Sequence, residues 1–257
     1  ISQVENEIFK RDGTKRYQKW ENKRQSAFFR GSLSDCANAI QNHDGDIRYC
    51  ARAKIIYEGA TNQNRILDGV SSTTDFKEAG LNMPCHLCTS KSKSGESFIH
   101  ELLSHRYVLN FPGAGNWSRR MSLLLRSGGL VLQAESSGYQ FYEYALKPGI
   151  HYIPFDPQIG EYGTGNLLSR LYWARENEAE AQRIAQRSKS FGDTCLKEES
   201  IDYFVATLLT EYSKKLQGAA VNLPVIDLSK CISTKSKKGR STSIARLCKS
   251  TINLCWK

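Results

Sequence analysis

Short apolar runs alternate with helical patterns through brief connections in the middle of the chain. The runs RYVLNF (106–111), GLVLQ (129–133) and IHYIPF (150–155) are rich in β-branched and aromatic residues, which predicts three strands. A helix through Leu123–Leu125 separates the first two runs, and GYQFYEYAL (138–146) predicts a short aromatic helix before the third. Strands that alternate with helices in this way pair in parallel, so the sequence predicts an α/β fold with a doubly wound parallel sheet.

The segments before this region are less regular. SAFFRGS (26–32) predicts an apolar strand that ends in a glycine turn. RYCARAKIIYEG (48–59) predicts a helix that gives way to a strand around Ile55–Tyr57. Residues 59–97 are rich in glycine, serine, threonine, asparagine and lysine, which predicts loops with one short helix near Phe76–Ala79.

Two helices are expected after the sheet, and the first covers about 167–187. The apolar residues of the second recur at helical spacing and share one face, which predicts packing in the core or between domains rather than a site. These residues are Ile201, Phe204, Val205, Leu208, Leu209, Tyr212 and Leu216.

The positive charge is concentrated at one end of the chain. The formal net charge is +10, and residues 229–257 contain eight basic residues and no acidic residue, which leaves +2 for the rest. Such a Ser/Thr/Lys-rich segment is typical of a solvated, flexible tail, so no specific nucleic-acid partner is expected. No apolar run approaches the roughly 20 residues of a membrane span. Because the chain begins with Ile1, we expect a fragment or a processed form.

Eight cysteines are scattered along the chain, and this even number is typical of a secretory protein with several disulfides. Cys85 and Cys88 have the spacing of half a zinc site. No second pair follows at the distance of a zinc finger, so a disulfide or two inert thiols are expected instead. No metal site is predicted.

A glycine-rich loop with two adjacent arginines follows the run RYVLNF. Small residues let backbone N–H groups approach an anion, and an arginine supplies a charged, bidentate clamp. The loop lacks a full GxGxxG pattern, since Ser118 stands where the third glycine would be. A tight turn with two exposed arginines is the alternative. The candidate anion-binding residues are Ala114, Gly115, Asn116, Trp117, Ser118, Arg119 and Arg120.

Three motifs together resemble one family of enzymes. They are FFRGS (28–32), the Asn-Phe…Ser-x-Arg pattern over 110–120, and LKPGIHYIP (146–154). This combination resembles the CAP10-like glycosyltransferases of family 90, including the Rumi-type protein O-glucosyltransferases, over about residues 19–216. The resemblance implies a GT-B enzyme with two Rossmann-like domains. It further implies a UDP-sugar held mainly by the C-terminal domain, inversion at the anomeric carbon and no metal cofactor.

The resemblance also implies roles for particular residues. Ser32 is the serine of FFRGS, which contacts the nucleotide in relatives, and Arg48 is the first match for an arginine on the diphosphate, with Arg52 the second. About ten extra residues separate Ser32 from Arg48, and Tyr49 replaces an acidic neighbour. Ser118 and Arg120 fall on the family's Ser-x-Arg, so the anion expected in the loop is a nucleotide diphosphate.

Two further side chains have more than one interpretation. Glu135 follows the strand GLVLQ and is interpreted either as a ribose ligand or as an exposed loop acid. His151 lies between alternating apolar residues, which favours a structural histidine over a catalytic base. The catalytic base therefore stays unassigned. The family resemblance implies an aspartate in an N-terminal domain, and the residues before FFRGS contain no counterpart.

The sequence thus predicts the donor-binding half of an inverting glycosyltransferase. Its expected donor is UDP-glucose or UDP-xylose, its acceptor is a hydroxyl of a protein or glycan, and its compartment is the ER or Golgi lumen. Residues 1–23 are a linker or the remnant of a missing N-terminal domain, 24–222 the nucleotide-sugar-binding domain, and 223–257 the basic tail. The alternatives are an NAD-type oxidoreductase, with Glu135 about twenty residues past the loop, and a non-catalytic binding module.

Overall fold

A computed structural model provides the structure of the chain. Its contacts divide the chain into two compact units, residues 2–192 and Ile1 with residues 193–257. The structure describes residues 18–33, 36, 42–44, 46, 49–61, 65–72, 76, 95–111, 120–135, 140–157 and 165–216.

Five parallel strands form one sheet in the first unit. They are β1 (Arg24–Gly31), β2 (Gly69–Ser72), β3 (His105–Asn110), β4 (Leu130–Ala134) and β5 (Ile153–Phe155). Their order in the sheet is β2-β1-β3-β4-β5, and every neighbouring pair is parallel. This order and direction confirm the doubly wound α/β fold that the sequence predicts.

The residues that the structure describes form six α-helices. They are α1 (Ala51–Thr61), α2 (Gly95–Ser104), α3 (Arg120–Arg126), α4 (Leu167–Glu176), α5 (Glu178–Cys195) and α6 (Glu198–Leu216). Short 3₁₀ turns occur at Trp20–Asn22, Arg65–Leu67 and Glu143–Ala145. None of the described helices is long and apolar enough to cross a membrane.

The sheet is buried on both faces, as its apolar strands require. All six residues of β3 are buried. On one face, Phe111 contacts Phe29 edge-to-face with ring centroids 4.9 Å apart and contacts Phe155 in the same way at 5.4 Å. These three rings join the carboxyl ends of β1, β3 and β5 into one apolar cluster.

Several predicted elements differ from the observed ones. The expected strand at Ile55–Tyr57 is wrong, because α1 continues through these residues and buries Ile55 and Ile56 on its inner side. The isoleucines favour a strand, but their alanine, lysine and glutamate neighbours favour a helix. Residues 59–97 contain the strand β2 and not only loops. The sequence of β2, GVSS, carries little strand signal, and burial against β1 determines its conformation.

Two helix predictions after β4 also need correction. In residues 140–146, the described part of the expected aromatic helix, only a 3₁₀ turn at Glu143–Ala145 forms. The helix expected over 167–187 is divided at Asn177, whose φ of −110° and ψ of 49° interrupt the helical path. Asn177 Nδ2 donates to the carbonyl of Trp173 at 2.9 Å, so the amide side chain caps α4.

The amino end of the sheet is fixed by a partly buried polar cluster. Arg106 of β3 donates through Nε to the Trp20 carbonyl at 3.0 Å and through Nη1 to Glu178 of α5. The Trp20 indole N–H donates to the same carboxylate at 3.1 Å, and Arg106 lies over the Trp20 ring. These contacts hold the segment before β1 against α5.

Disulfides occur as the cysteine content predicts. Cys36 and Cys50 are bonded, with their Cα atoms 5.3 Å apart, and Cys195 is disulfide-bonded as well. The Cys36–Cys50 bond joins the segment that follows β1 to the start of α1. Cys85 and Cys88 lie outside the described residues.

The second unit contributes α6, which confirms the predicted helix. Packing of its apolar face in the core is wrong, and packing between domains stays a prediction. No residue of α6 is buried. Val205, Leu208, Leu209 and Tyr212 are 43–59% exposed. Helical spacing places these residues on one face, but the spacing does not determine what covers that face.

Candidate functional site

The order of the strands places a crevice between β1 and β3. The chain runs outward from β1 to β2 and then returns to β3 on the other side of β1, so the direction of winding reverses at this point. In doubly wound sheets, ligands bind at the carboxyl ends of the strands beside such a reversal. Ser32 directly follows β1, and Phe111 directly follows β3. Both therefore lie at the mouth of the crevice.

Ser32 is held in place through its main chain. Its carbonyl accepts a hydrogen bond from Nη1 of Arg52 at 3.0 Å, which ties the end of β1 to α1. The Ser72 hydroxyl at the end of β2 donates to the Gly31 carbonyl at 3.2 Å. Arg52, the second choice for a diphosphate ligand, thus fixes the edge on which Ser32 lies. Arg48, the first choice, lies outside the described residues.

Arg120 begins α3 and reaches back over the crevice. Its Nη1 lies 3.5 Å from the Phe111 carbonyl oxygen, and its guanidinium carbon lies 5.3 Å from the centroid of the Phe29 ring. An arginine over an aromatic face is attracted electrostatically to the ring. Phe29 belongs to β1 and Phe111 follows β3, so Arg120 places a half-buried positive charge across the strands on either side of the crevice.

The other six residues of the candidate anion loop lie outside the described part of the chain. They are Ala114, Gly115, Asn116, Trp117, Ser118 and Arg119. Of the loop, therefore, the structure places Arg120, and it places this residue beside the crevice that Ser32 borders.

An amide pair at the ends of β3 and β4, with Asn110 buried and Gln133 partly buried, was not predicted from the sequence. Asn110 Nδ2 donates to Gln133 Oε1 at 2.6 Å, and Gln133 Nε2 donates to the Ala134 carbonyl at 3.1 Å. Met121 of α3 lies next to Asn110, with its sulfur 3.5 Å from Nδ2. The available signal was a polar residue at the same place in two otherwise apolar strands, VLN and VLQ.

Glu135 follows β4 on the same edge of the sheet. Its side chain is exposed, and its backbone N–H donates to the Phe155 carbonyl at 3.0 Å. The main chain is thus fixed by β5 while the carboxylate faces solvent at the carboxyl edge. A ribose ligand and an exposed loop acid both remain open for this residue.

His151 has the contacts of a structural histidine. Its Nδ1 accepts a hydrogen bond from the Lys147 backbone N–H at 3.0 Å, and Phe191 of α5 packs against the ring at 5.3 Å. Partial burial, followed by the nearby charges of Lys147 and Arg187, lowers the pKa of the imidazole below its usual value. The ring therefore organises the turn before β5. Within the described ranges, no three His, Cys, Asp or Glu side chains cluster closely enough to hold a metal ion.

The strand order defines a doubly wound α/β domain whose direction of winding reverses between β1 and β3. Residues 1–227 match the family model for Glycosyl transferase family 90, so the chain belongs to this family.

The individual relatives that the chain resembles share about a quarter to a third of their residues with it over the matched parts. The chain is 26% identical to mouse protein O-glucosyltransferase 3 over 196 residues, 76% of the chain and 33% of that protein. It is 34% identical to bovine protein O-glucosyltransferase 1 over 112 residues, 44% of the chain and 27% of that protein. It is 27% identical to O-glucosyltransferase rumi of Drosophila pseudoobscura pseudoobscura over 197 residues, 77% of the chain and 42% of that protein. The chain thus covers well under half the length of these relatives.

Proposed function

We propose that this chain binds the donor of an inverting glycosyltransferase, which moves glucose or xylose from a UDP-sugar to a hydroxyl of a protein or glycan. The observation that carries the proposal is the position of Arg120. Its half-buried guanidinium lies over Phe29 at the carboxyl edge of the crevice that Ser32 also borders. A positive charge at the reversal of a doubly wound sheet suits an anionic nucleotide.

In this proposal, Arg120 binds the diphosphate. In the proposed reaction, the acceptor oxygen attacks the anomeric carbon while the bond from that carbon to the β-phosphate oxygen breaks. Negative charge then grows on the departing UDP, and a fixed guanidinium stabilises it with charged, planar hydrogen bonds. Arg120, with Arg119 and Arg48, supplies the positive charge that a divalent cation would otherwise supply, so the proposed reaction needs no metal.

The acceptor hydroxyl must lose its proton to a general base. Family resemblance suggests an aspartate in an N-terminal domain. The described residues carry the donor side of the chemistry, and the relatives are more than twice as long as the part that matches. We therefore propose that donor binding belongs to this chain and that the base belongs to another part of the enzyme.

One observation favours a second candidate function. Glu135 follows β4, the strand after the glycine-rich loop and α3, and dinucleotide-binding domains carry an acidic ribose ligand at this position. An NAD-type oxidoreductase would use Glu135 in this way. The FFRGS and LKPGIHYIP motifs have no role in that alternative.

Calorimetric titration with UDP, NAD⁺ and a short oligonucleotide distinguishes these functions. We expect binding of UDP alone, with the same affinity in the presence of EDTA. Binding of NAD⁺ in place of UDP would favour the oxidoreductase, and binding of the oligonucleotide alone would favour a module that acts through the basic tail. A loss of UDP binding in EDTA would contradict the metal-free mechanism.

The ER or Golgi lumen is the proposed compartment. The Cys36–Cys50 disulfide supports it, because such bonds persist in oxidising compartments. Peptide mapping under non-reducing conditions, on protein from its native source, should recover the Cys36–Cys50 peptide pair. Free thiols at both positions would contradict this compartment.

A further inference from the structure

The amide oxygen of Asn110 is a buried acceptor without a donor. Asn110 is only 4% exposed. Its Oδ1 accepts no hydrogen bond from the residues that the structure describes, although Nδ2 is bonded to Gln133. A buried polar atom without a partner destabilises a fold by about 1–3 kcal/mol. Such an atom at the edge of a ligand crevice therefore indicates a partner that arrives with the ligand.

The orientation of the amide is fixed by its neighbours. Gln133 Nε2 donates to the Ala134 carbonyl, so Gln133 must present Oε1, and not its NH₂ group, to Asn110. Only the NH₂ group of Asn110 can satisfy that oxygen. The Asn110 oxygen consequently points away from Gln133, and a flip of the amide would place two oxygens against each other.

The position of Asn110 limits which part of a ligand it can contact. Side chains alternate along a strand, so Asn110 lies on the opposite face of β3 from Leu109 and Phe111. It is linked to β4 through Gln133, whereas Arg120 lies over Phe29 of β1. The positive charge of Arg120 therefore lies on the β1 side of β3, whereas the acceptor oxygen of Asn110 lies on the β4 side. Phosphate oxygens, which are acceptors, cannot satisfy Asn110 Oδ1.

We propose that Asn110 Oδ1 accepts a hydrogen bond from an N–H or O–H group of the nucleoside, and that Gln133 orients it for this role. The inference rests on the proposed function, since it assigns one more contact to the same nucleotide. The donors that a uridine nucleotide offers are the imide N–H of its base and the two hydroxyls of its ribose. Asn110 is thus a specificity residue for the nucleoside, and Gln133 is a positioning residue.

The double substitution Asn110→Leu/Gln133→Leu tests the proposal. Replacing both partners of a buried hydrogen bond with apolar groups of similar shape is nearly neutral for stability. We therefore expect an unchanged or higher melting temperature without ligand, together with about a tenfold loss of UDP affinity, the effect of one hydrogen bond. An unchanged UDP affinity of the folded double variant, whatever its melting temperature, would mean that the pair is purely structural and would overturn the proposal. Ser188→Ala is the matched control, because Ser188 Oγ in α5 is also buried without a partner among the described residues.

Nucleotide analogues test the same contact in the wild-type chain. We expect one of 2′-deoxy-UDP, 3′-deoxy-UDP and N3-methyl-UDP to bind about tenfold more weakly than UDP, and the double variant to bind that analogue and UDP equally. Equal binding of all three analogues and UDP by the wild type would overturn the Asn110 proposal while leaving the proposed function intact. A wild-type chain that binds no UDP would overturn both.

Discussion

Arg120 shows how one side chain links the core to the candidate site. Its guanidinium packs on Phe29, and Phe29 in turn packs on Phe111 in the apolar cluster of the sheet. The charge is therefore held by the same rings that hold β1 and β3 together. A fixed arginine loses little conformational freedom when an anion binds, which favours tight binding.

Replacement of Arg120 should weaken UDP binding strongly. We expect Arg120→Ala to cost about 2–5 kcal/mol of binding free energy, as when one partner of a desolvated charge pair is removed. Arg120→Lys should be nearly as damaging, because an ammonium cannot reproduce the planar pair of donors. Calorimetry measures the affinities, and thermal melts confirm that the variants fold.

Arg119→Ala is the matched comparison for this series. Arg119 is the residue before Arg120 in the sequence, and we expect it to contribute less to UDP binding. If Arg119→Ala proved the more damaging change, the two arginines would exchange roles. If neither change weakened UDP binding, the loop would be only a turn and the nucleotide site would be wrong.

At the scale of elements, the local sequence predicted those strands and helices whose formation depends on their own residues. The strands β1, β3 and β4 follow from apolar, β-branched runs, and the parallel order follows from their alternation with helices. The sequence also placed Ser32 after a strand and Arg120 where a loop becomes a helix, as the structure shows; their roles in ligand binding stay predictions. Three features depend on tertiary contacts and could not be predicted from the sequence. They are the strand GVSS against β1, the division of a helix at Asn177, and the Asn110–Gln133 pair.

Gly69 illustrates such a tertiary contact. A Cβ atom at this position would lie 2.6 Å from both the Ala27 carbonyl oxygen and His105 Nε2. Only glycine allows β2 to begin here, because any side chain would collide with β1 and β3. Nothing in the local sequence of β2 indicates this approach, which the pairing of distant strands creates.

Lys23 is a buried lysine at the point where two helices end. It is 4% exposed, and its Nζ donates to the carbonyls of Leu103, in the last turn of α2, and of Ser127, just after α3. Burial lowers the pKa of Lys23 to about 8, from 10.5 in an unfolded chain. Between these two pH values, the unfolded chain binds the proton more strongly than the native one. The contribution of Lys23 to stability therefore rises with pH across this interval.

We predict that the free energy of unfolding of the wild type increases relative to that of Lys23→Met between pH 8 and 10. The slope of this difference should reach at most about 1.4 kcal/mol per pH unit, the value for one proton. Urea unfolding at several pH values measures it, with the exposed Lys19→Met as the control. Burial raises the pKa values of Tyr107 and Tyr142, which makes both proteins less stable above pH 10 and cancels in the difference. A difference that stays constant or falls from pH 8 to 10 would contradict the account of Lys23.

At the scale of the whole molecule, the two edges of the sheet have different roles. The amino edge is held by the contacts of Arg106 with Trp20 and Glu178, and by the hydrogen bonds of Lys23 to the ends of α2 and α3. The carboxyl edge carries Ser32, Arg120, Asn110 and Glu135, and two of these have a charged group at or near the surface. The amino edge is thus held by polar contacts among core segments, whereas the carboxyl edge is the one that we propose binds the nucleotide.

Hydrogen–deuterium exchange with and without UDP tests most directly whether the nucleotide binds at the carboxyl edge of the sheet, because it locates the nucleotide on the chain. The account predicts that UDP slows exchange in the segments that end β1, β3 and β4, namely 28–33, 109–121 and 131–136. Exchange around Trp20–Lys23 and Gly128, at the amino edge, should stay unchanged. Protection confined to the amino edge, or no protection anywhere at saturating UDP, would contradict the claim that the β1/β3 crevice is a nucleotide site.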